Sequence, residues 1–306
     1  MESKNQLGNI FKLDKIIGSH AAPIYCIETY SDNKHVFSGS GDKMLGKWNY
    51  LIGLQDKFSI QLDSSAYQIL HIEESNLLIV GLSNGNIHVI DLSDKKEIKL
   101  LKLSDAAVYT LQYSQKHQML LATTGDSKVG IWKLDNFEIY QAFQFESGKI
   151  RDLLIKDNLF IIACQTGEIR GINFLELKEE FRFQAHDSSV YSLHFLDHKN
   201  LLVSGGQDAH LRFWKLENKE EVLSIPAHNF SIYDIAENDD YLFTASRDAS
   251  IKIWDKNSLD LVQKLDYKSS QGHTKSVNTI KWDKKSQSLF SAGDDSKLMM
   301  WRSMNK

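Results

Sequence analysis

A pair of residues with fixed spacing recurs five times along the chain. In each copy an aspartate stands six positions before a tryptophan, as in "SGGQDAHLRFW" and "TASRDASIKIW". The five pairs are Asp42 and Trp48, Asp126 and Trp132, Asp208 and Trp214, Asp248 and Trp254, and Asp295 and Trp301. Self-similarity at a fixed period indicates one supersecondary unit repeated along the chain, and it therefore decides the architecture before any local pattern is considered.

Two weaker copies fill the gaps between the first three pairs. "SNGNIHVI" puts Asn84 and Ile90 at the aspartate and tryptophan positions, and "QTGEIRGI" puts Thr166 and Ile172 there. With these copies, seven units recur at spacings of 40 to 47 residues and occupy essentially the whole chain of 306 residues. Within a unit, short apolar runs such as "LLVSGG" and alternating segments such as "LRFW" predict strands joined by polar turns.

The period, the histidine that opens a unit, the aspartate turn and the closing tryptophan resemble the WD40-repeat family from Phe11 to Trp301. The resemblance implies an all-β fold, a seven-bladed β-propeller of the WD40 type with one four-stranded blade per repeat. We predict a single domain over residues 1–306, with repeats at about 18–61, 62–103, 104–145, 146–184, 185–226, 227–266 and 267–306.

Closure of the ring is predicted from the two ends of this pattern. Only five residues follow Trp301, so the last unit lacks a fourth strand. The segment before the first unit resembles the fourth strands of later units, and residues 9–17 are therefore predicted to be the outer strand of the last blade. Pairing there removes two exposed strand edges.

Histidine, serine or threonine, and aspartate recur together in four units, which superficially resembles a nucleophilic triad. A catalytic site needs one exposed nucleophile beside one oxyanion hole, whereas four copies, each with a tryptophan, indicate a scaffold, so no catalytic residue is predicted. The resemblance implies a hydrogen-bonded network in each of these blades. The sets are His20, Ser38, Asp42 and Trp48; His186, Ser204, Asp208 and Trp214; His228, Thr244, Asp248 and Trp254; and His273, Ser291, Asp295 and Trp301.

The second, third and fourth units depart from this set. Ser64, Ser104 and Ser147 stand near the histidine position, and Ala122 replaces the serine of the third unit. These blades are expected to form, but with a less complete internal hydrogen-bond network. Two explanations stay open, sequence drift and a second binding surface.

Tyrosine follows a β-branched residue at four matching points, in "IYCIET", "VYTLQY", "VYSLHF" and "IYDIAE". The apolar positions of this strand lie at i, i+3 and i+5, which predicts a bulge that turns the next side chain towards the channel mouth. The predicted bulge residues are Tyr25, Gln68, Tyr109, Arg151, Tyr191, Tyr233 and Asn278. The resemblance implies that partners dock on this face, and it adds Lys149, Arg247 and Asp294 from neighbouring positions.

Two functions are predicted from these residues. In the first, a protein or peptide docks on the tyrosines, which combine a large rigid area with a polar tip. In the second, Lys149, Arg151 and Arg247 bind an acidic or phosphorylated ligand, and binding weakens steeply with salt. A third interpretation, in which the tyrosines only line a wet channel, also stays open.

Composition adds limits on partners and location. With 36 basic and 40 acidic residues the formal charge is −4, which does not favour nucleic acid or an anionic membrane as partner. The start shows no signal-peptide pattern and no apolar run could span a bilayer, so a cytoplasmic location is predicted. The protein is also expected to be monomeric by itself. Cys26 and Cys164 form no metal-binding spacing, and neither a metal nor a cofactor is predicted.

Overall fold

The computed structural model describes residues 10–304, and their regular secondary structure is almost entirely β-strand. The strands form seven antiparallel sheets, or blades. The first strand of each blade contacts the first strand of the next, and the seventh contacts the first, so the blades form a closed ring around a central channel. The predicted seven-bladed propeller is confirmed.

Blades 2 to 6 share one plan, in which four consecutive strands run from the channel outwards. Blade 2 contains β7 (Ala66–Ile72), β8 (Leu77–Leu82), β9 (Asn86–Asp91) and β10 (Lys96–Lys102). Blade 3 contains β11 (Val108–Ser114), β12 (Met119–Thr124), β13 (Lys128–Lys133) and β14 (Ile139–Gln144). Blade 4 contains β15 (Ile150–Lys156), β16 (Leu159–Cys164), β17 (Glu168–Asn173) and β18 (Lys178–Gln184).

The next two blades repeat this plan. Blade 5 contains β19 (Val190–Leu196), β20 (Leu201–Gly206), β21 (His210–Lys215) and β22 (Glu220–Pro226). Blade 6 contains β23 (Ile232–Glu237), β24 (Tyr241–Ser246), β25 (Ile251–Asp255) and β26 (Leu261–Leu265). Short 3₁₀ turns lie at Glu73–Ser75 and Asp197–Lys199, and the one-turn helix α1 (Tyr267–Ser270) occupies the insertion before blade 7.

Blades 1 and 7 differ in their outer strands. Blade 1 contains β2 (Ile24–Thr29), β3 (His35–Ser40) and β4 (Met44–Asn49), and its outer strand is split into β5 (Leu54–Gln55) and β6 (Ile60–Gln61). Blade 7 contains β27 (Val277–Asp283), β28 (Ser288–Gly293) and β29 (Lys297–Ser303), and its outer strand is β1 (Phe11–Ser19).

The predicted ring closure is confirmed, with a correction to the bounds of the closing strand. Strand β1 pairs antiparallel with β29 from Phe11 opposite Ser303 to Ser19 opposite Lys297. It therefore extends two residues beyond the predicted 9–17, and residue 9 lies outside the described residues. The extension is possible because position 18 is a glycine: a Cβ on Gly18 would lie 2.3 Å from the indole of Trp48.

The buried apolar residues of the described chain form seven clusters, one between each pair of adjacent blades. Between blades 6 and 7, for example, Phe11 packs with Phe243 and Trp301. Between blades 7 and 1, Phe290 and Met300 pack with Trp48. Each blade therefore contributes to two clusters, and removal of apolar surface from water holds the ring together across every blade interface.

The predicted hydrogen-bond network is present in four blades. In blade 7 the indole Nε1–H of Trp301 donates to Ser291 Oγ (2.8 Å), which donates to His273 Nε2 (2.8 Å), and His273 Nδ1–H donates to Asp295 (2.9 Å). Blades 1, 5 and 6 contain the same contacts, with distances of 2.7–3.0 Å. Burial raises the pKa of these four aspartates, but their hydrogen-bond donors outweigh it and hold the pKa below its ordinary value.

Blades 2 and 4 contain other polar networks in place of this one. In blade 2, Asp63 accepts from the side-chain amides of Asn84 (2.8 Å) and Asn86 (2.7 Å). In blade 4, the buried Arg170 donates to Glu168 (2.6 Å) and to the backbone oxygen of Glu146 (3.0 Å). In these two weaker repeats, polar side chains other than the histidine set connect segments of the blade.

Candidate functional site

The bulge predicted in the first strand is present in all seven blades. In each blade the register between the first two strands slips by one residue, as between Val108 and Thr110. The residues at the slip are Tyr25, Tyr67, Tyr109, Arg151, Tyr191, Tyr233 and Asn278. Together with Asp294 they line a pocket of about 430 Å³ at one mouth of the channel.

The prediction for blade 2 is wrong by one residue. The bulge residue there is Tyr67, and Gln68 pairs with Gly81 and faces the channel below the pocket. The first inward residue of this strand is Ala66, which is fully buried, and Ile69 three positions later completes the pattern of the other blades. The three-residue spacing from Ala66 to Ile69 is the sequence signal that indicates Tyr67 as the bulge residue. Tyr67 is thus the fifth tyrosine among the seven bulge residues.

Six of the seven bulge residues form a nearly continuous chain of ring contacts, which we call the aromatic collar: Tyr25, Tyr67, Tyr109, Arg151, Tyr191 and Tyr233. Adjacent tyrosine rings lie 4.9–6.0 Å apart between centroids. The Arg151 guanidinium lies 4.8 Å from the ring centroid of Tyr109 and 5.1 Å from that of Tyr191, so it bridges the gap between blades 3 and 5. Contacts of this kind stabilise a cation against an aromatic face.

Blade 7 contributes polar groups to the pocket, next to the aromatic collar. Asn278 Nδ2 donates to the backbone oxygen of Ile24 (3.0 Å) and to Asp294 Oδ1 (2.8 Å). Asp294 therefore lies on the side of the ring opposite blade 4, which carries Arg151. The pocket has a cation at one edge and a carboxylate at the other.

The three cations of the predicted acidic-ligand site are not all in the pocket. Arg151 lines it, whereas Lys149 and Arg247 are exposed and lie outside the lining residues. The backbone N–H of Lys149 donates to Gln165 Oε1 (3.0 Å), and the Arg247 guanidinium lies 5.8 Å from the ring centroid of Phe230. Arg151 is thus the cation that a ligand inside the pocket would meet.

Two half-buried aspartates in the channel below the collar were not predicted from the sequence. Asp152 accepts from the N–H groups of Leu153 and, in the next blade, Leu193, both at 2.8 Å. Asp234 accepts likewise from Ile235 and, in blade 7, from Ile280, both at 2.8 Å. Each carboxylate therefore joins two blades at the channel wall. The signal was an acidic residue directly after the bulge, where three of the other blades have Thr110, Ser192 and Thr279.

Burial controls the protonation of both groups. It raises the pKa of Asp152 to about 7 and that of Asp234 to about 6, against the N–H donors, which lower it. The carboxyl groups therefore bind a proton more tightly in the folded protein than in the unfolded chain. Their contribution to stability is full at low pH, below the ordinary pKa of aspartate, and is lost as pH rises through the folded-state value.

We expect Asp152→Asn to change the pH dependence of stability. Asparagine does not titrate, so the free energy of unfolding of the variant relative to wild type should rise by about 2–4 kcal/mol between about pH 4 and about pH 8. Asp187→Asn, at an exposed position, is the control and should show no such trend. Urea unfolding at several pH values measures both, and parallel curves for Asp152→Asn and wild type would contradict the expectation.

Comparisons with known protein families agree with the propeller architecture. The family model described as "KNTC1, N-terminal" matches residues 52–272, and the model described as "WD domain, G-beta repeat" matches residues 11–49 and 265–302. The chain therefore belongs to the WD-repeat family, and over its central residues to the family described as KNTC1, N-terminal. The resemblance stated from the sequence is confirmed.

Three relatives show the range of similarity. An uncharacterised WD repeat-containing protein of Schizosaccharomyces pombe is 25% identical over 95% of this chain and 70% of its own length. The WD repeat-containing protein 26 homolog of Drosophila melanogaster is 30% identical over 47% of this chain and 23% of its own length. Polyadenylation factor subunit 2 of Candida albicans is 32% identical over 32% of this chain and 18% of its own length.

The chain spans only about a fifth of the length of several relatives it matches, as in the Candida and Drosophila proteins, at 18% and 23%. The predicted single domain over 1–306, with its repeat bounds, stays a prediction. Within residues 10–304, no helix is long and apolar enough to cross a membrane. In the same residues, no group of three or more histidine, cysteine, aspartate or glutamate side chains is placed to hold a metal ion.

Proposed function

We propose that the protein is a non-enzymatic platform that binds a partner protein or peptide on the aromatic collar. WD40 propellers are typically protein-interaction scaffolds, and the chain belongs to that family. One observation carries the choice of surface: five of seven bulge positions are tyrosine, all at one mouth of the channel. A blade fold needs no tyrosine at a position that is only half buried.

The physical properties of the collar suit a recognition surface. Its rings are packed against one another at 4.9–6.0 Å, so little side-chain entropy remains to be lost when a partner binds. Burial raises the pKa of Tyr25, Tyr67 and Tyr233, which keeps their hydroxyls protonated as hydrogen-bond donors. A rigid aromatic floor with polar tips is the composition found at interface hot spots.

A cytoplasmic location, a monomeric state and the lack of nucleic-acid and membrane partners belong to this proposal and rest on composition. The alternative, a reader of an acidic or phosphorylated ligand through Lys149, Arg151 and Arg247 together, has less support, because Lys149 and Arg247 lie outside the pocket lining. It remains a proposal for ligands large enough to reach Lys149 and Arg247 outside the pocket.

The test is loss of partner capture on changing the collar. We expect Tyr109→Ala combined with Tyr191→Ala to weaken binding of the principal partners by at least about 30-fold, because hot-spot tyrosines at an interface together contribute about 2 kcal/mol or more. The immobilised wild type and variant are incubated with lysate from cells that naturally produce the protein. Bound proteins are then quantified by mass spectrometry, and affinities are measured on purified partners.

Tyr140→Ala and Tyr267→Ala are the matched controls, since both tyrosines are exposed and lie outside the pocket. Thermal unfolding must show that all variants fold as the wild type does. If the collar variant retains every partner, or if the controls lose the same partners, the collar is not the docking surface. Tyr109→Phe with Tyr191→Phe separates the contribution of the rings from that of the hydroxyls.

A further inference from the structure

The arginines of the chain differ in whether they have acidic partners. All six lie within residues 10–304, and four form ion pairs with acidic side chains: Arg170, Arg182, Arg212 and Arg302. Neither Arg151 nor Arg247 forms an ion pair or a side-chain hydrogen bond with any described residue, and both lie at the collar end of the channel. The two unpaired guanidiniums are therefore on the proposed binding face.

Arg151 is the more unusual of the two because it is partly buried. Its Nε atom is buried and meets no hydrogen-bond acceptor among the described residues. A guanidinium carries five N–H donors, and a donor that is shielded from water without an acceptor is costly. The flanking rings of Tyr109 and Tyr191 stabilise its charge but accept few of its hydrogen bonds.

We propose that the pocket within the aromatic collar binds one anionic side chain of a partner peptide, a carboxylate or a phosphate, with Arg151 as its anchor. This inference rests on the proposed function of the same surface. A guanidinium pairs with carboxylate or phosphate through two parallel hydrogen bonds, and partial exclusion of water strengthens them. The pocket of about 430 Å³ has room for one such side chain.

The charges around the pocket favour an anion over a cation at this position. The aromatic faces of Tyr109 and Tyr191 already hold a cation, so a lysine or arginine of the partner would meet Arg151 at close range. The carboxylates of Asp152 and Asp234 are each occupied by two backbone N–H donors. Asp294 lies across the ring, and its Oδ1 already accepts from Asn278 Nδ2 at 2.8 Å.

The experiment uses three fluorescent peptides that differ at one central position. Each has the form Gly-Ser-Gly-X-Gly-Ser-Gly, with phosphoserine, glutamate or serine at X, and binding is followed by anisotropy at low salt. We expect the wild type to bind at least one anionic peptide about tenfold tighter than the serine peptide. The ratio between the phosphoserine and glutamate peptides then identifies which anion the pocket prefers.

Arg151→Gln should abolish this preference, whereas Arg151→Lys should keep part of it, because lysine retains the charge but loses the paired geometry. Lys99→Gln removes an exposed cation on the outer strand of blade 2, away from the pocket, and should leave the preference unchanged. Asp294→Asn should strengthen binding of the anionic peptides, since it removes a like charge from the pocket. Thermal unfolding confirms that each variant is folded.

Two results would overturn the inference. The first is equal binding, or no binding, of all three peptides by the wild type. The second is an equal loss on Arg151→Gln and Lys99→Gln, which would mean diffuse attraction by the surface charge. Competition by inorganic phosphate as effective as that by the phosphopeptide would show that the free anion is the ligand and would overturn the peptide assignment. Partner capture that still depends on Tyr109 and Tyr191 would in each case leave the proposed function standing.

Discussion

Replacing Phe11 with alanine is expected to lower the free energy of unfolding by about 3–5 kcal/mol. Phe11 is only 1% exposed and lies in the cluster between blades 6 and 7. Its ring makes edge contacts with Tyr241, Phe243 and Trp282 at centroid distances of 5.4–6.1 Å. Because Phe11 belongs to the strand that closes the ring, its loss weakens both a core cluster and the closure.

Urea unfolding followed by tryptophan fluorescence measures this change. The matched control is Ile16→Ala on the same strand, where the side chain is 46% exposed and the cost should stay within about 1 kcal/mol. A cost for Phe11→Ala no larger than that of Ile16→Ala would mean that β1 contributes little to ring stability. Unfolding in two separated steps would instead show that one part of the ring opens before the rest.

The closing strand was predictable because strands can be counted in a repeat. A seventh unit that ends after three strands needs a fourth from elsewhere, and the segment before the first unit matched in pattern. The contact that fastens it was not predictable. Gln263 of blade 6 is buried and accepts from the N–H groups of Ile10 (2.9 Å) and Phe11 (2.7 Å), while its amide donates to the Phe11 oxygen (2.8 Å). No repeat spacing in the sequence predicts a contact between residues that are about 250 positions apart.

The candidate site shows a different limit. The bulge position could be deduced from the offset between inward residues, and it was right in six blades. It failed in blade 2 because Ala66 is too small to stand out as an inward residue, so the pattern was aligned one position late. An error of one residue changes which side chain faces the pocket, because successive strand residues point to opposite faces.

The half-buried carboxylates were missed because of their sequence context. Along a strand, an acidic residue at Asp152 or Asp234 is usually interpreted as a solvent-facing position. Their burial depends on the neighbouring blade, whose backbone N–H groups supply hydrogen-bond partners. Such contacts follow from the curvature of the ring, which a single repeat does not encode.

Ser291→Ala is the second change expected to have a large effect, a loss of about 2–4 kcal/mol in the free energy of unfolding. The hydroxyl of Ser291 accepts from Trp301 Nε1 and donates to His273 Nε2, both at 2.8 Å. Alanine leaves one buried donor and one buried acceptor without partners. Trp301 is fully buried on β29, the strand that pairs with β1, so the cost falls on the closing blade.

Threonine is the matched control for this position. Thr244 occupies the equivalent place in blade 6, where its hydroxyl accepts from Trp254 at 3.0 Å and bonds His228 at 2.8 Å. Ser291→Thr should therefore retain the hydrogen bonds and cost much less than Ser291→Ala in the same urea titration. If threonine costs as much as alanine, the loss comes from packing around the side chain. If alanine costs nothing, water or a rearranged indole satisfies the buried groups, and the repeated network matters less to stability than its four copies suggest.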